Sequence, residues 1–323
     1  MKRILITGGT GFAGSHLVEH LLANPTDEAQ ILHVTHFGNR LPKMFDSFGV
    51  DQVHRVDLQN AQLVHDLLQA VQPTEIYHLA AIASVASSYS RAALVIQNNT
   101  SVQLNLLESM QRFAPEARLL VIGSAEEYGI SLPNELPITE EHPLRPINPY
   151  AVSKVTQDLL AYSYFISSKL NIVRVRPFNH TGERQTTDFV IPSFISQIVK
   201  IERAEQTRLY VGNLDVKRDI SDVKDVVAAY QVVMEKGDAG AVYNIGSGQS
   251  VSMRDVLDTL VSMATVPIDI QVDEAKVRPM DIPDMVADIS KMKEIGWIPM
   301  IERDETLKRV LHWWRAQPSS KKD

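Results

Sequence analysis

The chain of 323 residues contains no cysteine. That absence excludes disulfides, thiolate metal sites and a cysteine nucleophile. A basic excess is missing too: 32 lysines and arginines stand against 39 acidic residues, a formal charge of -7. Nothing is left over to neutralise a phosphate backbone, which argues against a general nucleic-acid binder. A few placed arginines can still hold a phosphorylated small molecule. Long apolar runs are also lacking, since none approaches the roughly 20 residues that a membrane span needs. The opening MKRILITGG passes from a short apolar run into glycines, not into a signal-peptide cleavage region. The expected address is cytoplasmic, with no nucleic acid and no membrane as partner.

What is present is ordinary for a globular protein, with 44% apolar and 22% charged residues. Short apolar runs (4–6, 31–34, 53–56, 76–79, 119–122 and 172–175) read as buried strands. Helical patterns alternate with them, notably Leu63, Val64, Leu67, Leu68 and Val71, a stretch through Leu104, Leu106 and Leu107, and another from Pro149. Such βαβ repetition predicts an α/β protein, a doubly wound parallel sheet of Rossmann type. After Pro177 the alternation breaks, which predicts a smaller, discontinuous α+β substrate lobe. Residues 1–177 and 222–247 are assigned to the dinucleotide-binding domain, 178–221 and 248–317 to the lobe, and 318–323 to a flexible tail.

Gly8, Gly11 and Gly14 lie between the first strand and the first helix. Glycines at this spacing allow a tight turn, close approach of backbone to a pyrophosphate, and close helix–strand packing. The helix start, at Phe12, then offers amide donors and a positive dipole end to phosphate. Dinucleotide binding follows. The second strand ends in Thr35-His36-Phe37-Gly38-Asn39-Arg40, without the carboxylate that would accept ribose hydroxyls. Arg40 in that place points to a 2′-phosphate and favours NADP(H), with NAD(H) the alternative and a solvated loop arginine the plain reading. Asp57 and Leu58 follow the third strand and are expected at the adenine, with a simple loop acid the plain alternative.

Tyr150 and Lys154 stand one helical turn apart on one face. An ammonium beside a phenol, together with an oxidised nicotinamide, favours phenolate and lowers the phenol's pKa. A tyrosine so tuned can exchange a proton with a sugar hydroxyl or ketone while hydride moves at the same carbon. Ser124, just past the fifth strand, is the third member and holds the carbonyl oxygen. His16-Leu17-Val18-Glu19-His20 spells an inverted zinc-protease motif, but it lies on the helix that the glycine turn opens and is read as a helix face. No metal site is assigned.

With these residues in place, the sequence resembles the extended short-chain dehydrogenase/reductases of the sugar-nucleotide epimerase/dehydratase group. The likeness runs through Gly8/Gly11/Gly14, His78-Leu79-Ala80-Ala81, Ser124 with Tyr128-Gly129, Tyr150/Lys154, Arg176-Pro177-Phe178-Asn179, Arg218-Asp219, Arg278-Pro279 and Gly296-Trp297-Ile298-Pro299. It implies a cofactor wall at Leu79, Ala80 and Ala81, with Asn99 and Pro177 also at the cofactor. It further implies that Asn179 touches a substrate diphosphate that Arg218 and Arg278 neutralise, with Ser84, Ser124, Glu126 and Val190 lining the sugar site. Arginine's fork suits phosphate oxygens. A homodimer through the helices near 95–112 and 150–168 is implied as well. One departure is Val102, where related sequences often carry glycine.

The strip Gly123-Ser124-Ala125-Glu126-Glu127-Tyr128 bears on the reaction. Dehydratases of this family place a proton donor after the catalytic Ser/Thr and then a glutamate base. Glu126 matches the base, but Ala125 has no proton to give. The strip and the run Phe178-Asn179-His180-Thr181-Gly182 are most similar to the reductases of GDP-linked 4-keto-6-deoxyhexoses. Reduction of the 4-keto group to a GDP-6-deoxyhexose of the GDP-rhamnose type, with Tyr150 as acid, is the expected reaction. A sugar-nucleotide 4-epimerase, a GDP-mannose 4,6-dehydratase and a non-catalytic cofactor sensor are the alternatives.

Overall fold

Four consecutive buried residues, Ile4 to Thr7, close the first strand, β1 (Lys2–Thr7), and so demand cover on both faces. The computed structural model, which describes residues 1–25, 29–38, 41–49, 51–276 and 281–318, supplies that cover. After β1 come α1 (Phe12–Ala23), β2 (Gln30–His36), β3 (Val53–Arg55), α2 (Ala61–Val71), β4 (Glu75–His78), α3 (Val85–Ser90), α4 (Ala92–Phe113) and β5 (Arg118–Ile122). Two 3-10 turns, Ala125–Tyr128 and Pro133–Glu135, then lead towards α5 (Pro149–Ser168) and β6 (Asn171–Pro177).

The second half holds β7 (Asn179–Thr181), α6 (Val190–Glu202), β8 (Leu209–Val211), β9 (Lys217–Asp222), α7 (Val223–Lys236) and β10 (Val242–Ile245). It ends with β11 (Ser250–Ser252), α8 (Met253–Ser262), β12 (Ile270–Val272), α9 (Ser290–Glu294) and α10 (Arg303–Ala316).

Seven strands form one parallel sheet in the order β10-β6-β5-β4-β1-β2-β3. Chain order reverses between β1 and β4, which opens a crevice beyond the carboxyl ends of those strands. Helices cover both faces. On one, Leu17 and Leu21 of α1 meet Val226, Tyr230 and Val233 of α7. On the other, Leu67 and Leu68 of α2 join Leu106, Leu107 and Met110 of α4 and Ala161 of α5. The doubly wound, Rossmann-type expectation is met.

A third core gathers Phe194, Ile195 and Ile198 of α6 with Leu257 and Leu260 of α8 and Leu307 and Leu311 of α10. Trp314 packs against it and meets Trp313 edge-on at 5.5 Å. Two small sheets, β11-β9-β7 and β12-β8, flank this core. Since β7 leaves directly from β6, the second half is stitched to the crevice rim at Phe178. No described helix is long and apolar enough to cross a membrane.

Candidate active site

A cleft of about 1200 Å³ opens at the carboxyl ends of the parallel strands. Its floor is the β1–α1 turn. Gly8 has φ +69°, and a Cβ there would come 2.9 Å from the Ala80 nitrogen. A Cβ on Gly14 would collide with the Gly8 carbonyl oxygen and stand 2.8 Å from the Gly9 Cα. The Gly11 amide donates to the Gly8 carbonyl at 2.9 Å, and the Gly8 amide to Thr35 Oγ1 at 3.0 Å. No side chain caps α1, so the amides of its first turn face the cleft with no side-chain acceptor of their own. A bare backbone cradle at a helix start fits a dinucleotide pyrophosphate.

At one end of the cleft lie Thr35, His36, Phe37, Gly38, Asp57 and Leu58. His36 Nδ1 is 3.1 Å from Thr10 Oγ1, which ties the end of β2 to the glycine turn. Arg40 falls outside the described residues. A smaller hollow of about 520 Å³ adjoins, lined by Phe37, Gly38, Arg55 and Asp57. Arg55, which no sequence motif singles out, ends β3 one residue before the cleft-lining Val56.

Leu79, Ala80 and Ala81 form one wall, and Val102 and Pro177 also line the cleft. Two expected contacts are placed differently. Asn99 is fully buried behind the wall and does not line the cleft: its Oδ1 accepts from the Ile82 amide at 2.8 Å, while its Nδ2 donates to the Ile82 carbonyl at 3.1 Å and Ser153 Oγ at 2.9 Å. It braces the wall against α5, and its neighbour Asn98 reaches the lining instead. Ser84 caps α3, accepting from the Ser87 amide at 3.2 Å, and is likewise absent from the lining.

Ser124, Tyr150 and Lys154 come together in the cleft. Asn148 caps α5 through the Ala151 amide at 2.8 Å, and Pro149 occupies the first turn, which fixes where Tyr150 emerges. Lys154 Nζ lies 6.0 Å from the Tyr150 ring centroid and donates to the Ile122 carbonyl at 2.8 Å. Burial pushes the Tyr150 phenol well above its ordinary value, and the Ser124 hydroxyl partly offsets this. Burial also draws Lys154 down to about 8, against the pull of Glu127. The acidified phenol is expected beside an oxidised nicotinamide; the protein's own groups push the other way. With Tyr150 only 8% exposed, loss of water, helped by the nearby Glu126 and Glu127, outweighs the Ser124 hydroxyl. A neutral phenol is a proton donor.

Glu126 lines the cleft and accepts from Asn148 Nδ2 at 2.9 Å, whereas Ala125 beside it is buried and apolar. Further out stand Asn179, Val190 and Arg218. Arg218 is buried; its Nη1 donates to the Lys217 and Ile282 carbonyls, each at 2.7 Å, and its Nη2 lies 3.9 Å from Asp281. The neighbouring Asp222 is taken by Thr306 and Arg309 instead. Arg278 falls outside the described residues.

Sheet order, glycine cradle and Ser–Tyr–Lys cluster define an NAD(P)-dependent enzyme of the extended short-chain dehydrogenase/reductase type. The chain belongs to the GDP-mannose 4,6-dehydratase family, whose model matches residues 5–310. It is 33% identical to the GDP-6-deoxy-D-mannose reductase of Pseudomonas aeruginosa, over 98% of each chain. The structure of RMD from P. aeruginosa complexed with NADPH matches with a TM-score of 0.85, covering 98% of this chain and 99% of that one at 33% identity. The UDP-glucose 4-epimerase of Thermus thermophilus complexed with NAD matches with a TM-score of 0.86 at 28% identity, covering 97% and 99%.

Proposed function

We propose that the protein reduces the 4-keto group of a GDP-4-keto-6-deoxyhexose, giving a GDP-6-deoxyhexose of the GDP-rhamnose type, with NADP(H) favoured over NAD(H). The observation that carries this reading is the pairing of a buried Tyr150 phenol, set beside Ser124 and Lys154, with an apolar Ala125. The cleft keeps a proton donor for a ketone oxygen but lacks the hydrogen-bearing side chain that loss of water from carbon 6 would use at that position. Likeness to a GDP-6-deoxy-D-mannose reductase supports it.

A bound dinucleotide supplies the hydride. The chain's own part is to position and protonate. Ser124 orients the carbonyl oxygen, Tyr150 gives it a proton, and Lys154 keeps a positive charge beneath the phenol as negative charge develops. Glu126, tied to Asn148, is a substrate contact. Asn179, Arg218 and Arg278 serve the substrate diphosphate, and Val190 the sugar.

The test is stoichiometric. Purified protein is given GDP- and dTDP-4-keto-6-deoxyhexoses with NADPH or NADH, and cofactor and product are followed. One reduced cofactor is expected to disappear per GDP-6-deoxyhexose formed. An epimerase would consume none. Silence with the GDP-linked ketone, together with dehydration of GDP-mannose, would sink the proposal.

We also propose a homodimer through α4 and α5. Leu94, Val152, Leu159, Tyr162 and Ile166 on these helices are 39–55% exposed, an apolar face that pairing would cover. Light scattering is expected to give twice the chain mass of 36.1 kDa and a monomer for Leu159→Asp. A wild-type monomer at micromolar concentration rejects it.

A further inference from the structure

Of the two adjacent glutamates, the one facing away from the cleft is the more deeply engaged. Glu127 is fully buried. Its Oε1 accepts from the Ser124 amide at 2.7 Å, and its own amide donates to the Ser124 carbonyl at 3.1 Å. Ser124 Oγ in turn accepts from the Glu126 amide at 3.2 Å. The backbone on both sides of the serine is thus fastened by one residue. A Cβ at position 123 would collide with the Glu127 carboxylate, so Gly123 makes room for it.

The carboxylate's other oxygen reaches across the sheet. Arg176 of β6 donates from Nε to Glu127 Oε2 at 3.1 Å and from Nη2 to Asp158 Oδ2 at 2.6 Å. Asp158 lies on α5, two turns beyond Tyr150 and one beyond Lys154, on the same helical face. Arg174 also pairs with Asp158. Arg176 Nη1 donates to Tyr128 Oη at 3.0 Å, and that hydroxyl donates to Asn244 Oδ1 at 2.6 Å. A buried chain of charge-assisted hydrogen bonds therefore links the turn carrying Ser124 to the helix carrying Tyr150 and Lys154.

We propose that Glu127 is a positioning residue of the reaction, setting the Ser124 hydroxyl against Tyr150 by clamping the serine backbone to the Arg176–Asp158 pair. This rests on the catalytic reading of Ser124, Tyr150 and Lys154 given above. Removing a buried partner leaves the Ser124 amide and part of Arg176 without an acceptor, and the turn then moves to find one. Displacement of a catalytic group by about 1 Å costs on the order of 100-fold in rate.

Glu127 and Asp158 share Arg176 Nε, which donates to both, and two carboxyl groups so close disfavour ionising together. Burial and Asp158 hold Glu127 up at about 8, against Arg176 and the Ser124 amide. The other titratable groups that feel it are Lys154, Tyr128 and Tyr150. Below about pH 8 the neutral acid is favoured, and glutamine imitates it only in part: its oxygen accepts from Ser124, but its amide turns a donor towards Arg176 Nε. Above it, Glu127 becomes an anion that sustains the charge on Lys154, and glutamine cannot.

The experiment compares wild type, Glu127→Ala, Glu127→Gln and Tyr150→Phe on a GDP-4-keto-6-deoxyhexose with NADPH from about pH 6 to about pH 9. Glu127→Ala is expected to lose on the order of 10- to 100-fold in kcat at every pH, with KM changed less than about threefold. Glu127→Gln is expected to lose less than Glu127→Ala near pH 6.5 and to fail at lower pH than wild type on the alkaline side.

A readout without substrate follows from linkage. A glutamate whose pKa is raised on folding contributes most below its unfolded value of about 4.5 and loses that contribution as pH climbs through about 8. The wild-type Tm is therefore expected to fall relative to Glu127→Gln across that window.

Wild-type kcat and pH profile in Glu127→Ala, beside an inactive Tyr150→Phe, overturn the inference alone. An active Tyr150→Phe overturns the catalytic reading. If Glu127→Ala does not fold, or no turnover is found, a Tm difference between wild type and Glu127→Gln that is flat with pH overturns the inference, and one that changes as stated supports it.

Discussion

Replacing Tyr150 by phenylalanine is expected to lower the rate of ketone reduction by about 100- to 10,000-fold, the range spanned by positioned general acids. The substitution keeps the ring, which is buried between Ser124 and Lys154, and removes only the hydroxyl. Packing and the α5 cap at Asn148 are left in place, so melting temperature should change little. Dinucleotide affinity should hold as well, since the glycine turn is untouched. Loss in kcat with an unchanged Kd for NADPH is the pattern of a group that acts only as charge develops on the ketone oxygen. Because burial keeps the phenol neutral, the reductive direction begins with the proton already where it is used. A Tyr150→Phe enzyme that turned over at the wild-type rate would remove the phenol from the reaction.

The second large effect is expected at Gly14→Ala. An added methyl there meets only backbone: the Gly8 carbonyl group and the Gly9 Cα at 2.8 Å. No side chain can swing aside, so the turn itself has to open. Overpacking of this kind costs about 1–3 kcal/mol in stability. Opening the turn also moves the α1 amides off the phosphate position, and a loss of tenfold or more in affinity, about 1.4 kcal/mol, is expected for NADPH and NADH alike. Gly11→Ala serves as the contrast. Its Cβ would meet a single atom, the Gly8 oxygen at 3.2 Å, and its φ of -76° suits any residue. Fluorescence titration of the reduced cofactor and thermal melts measure both. Wild-type affinity in Gly14→Ala would place the pyrophosphate elsewhere.

Much of this site is legible in the chain because its chemistry follows short periods. The spacing of Tyr150 and Lys154 puts them on one helical face whatever else the fold does. Glycines at 8, 11 and 14 between an apolar run and a helix pattern say as much about β1 and α1 as about phosphate. Buried strands such as 119–122 and 172–175 are readable since a parallel sheet covered on both faces needs unbroken apolar runs.

What stayed hidden depends on distances between segments far apart in sequence. Asn99 looks like a cofactor residue, but one helical step turns it inward to grip Ile82 and Ser153 while Asn98 faces the cleft. Ser84 follows a loop and caps the next helix, a duty that serine performs as readily as ligand contact. Glu126 and Glu127 are alike on paper. Only the 3-10 turn sends the first to the cleft and the second under it to Arg176. The acidity of Tyr150 was hidden for another reason, since the amount of water lost around a phenol is not written in the residues beside it.

The return of β10 to the edge of the main sheet has a consequence for biosynthesis. β6 pairs Arg174 with Val242 and Arg176 with Asn244, so a growing chain has to be extended by nearly seventy residues before that edge is closed. During this interval the nascent polypeptide carries an open, apolar strand border on a half-built sheet, the kind of surface that recruits chaperones or sticks to other copies. Slow codons or a premature stop between 178 and 241 would prolong that exposure, which ends when β10, a strand of only four residues, has emerged and taken over the edge.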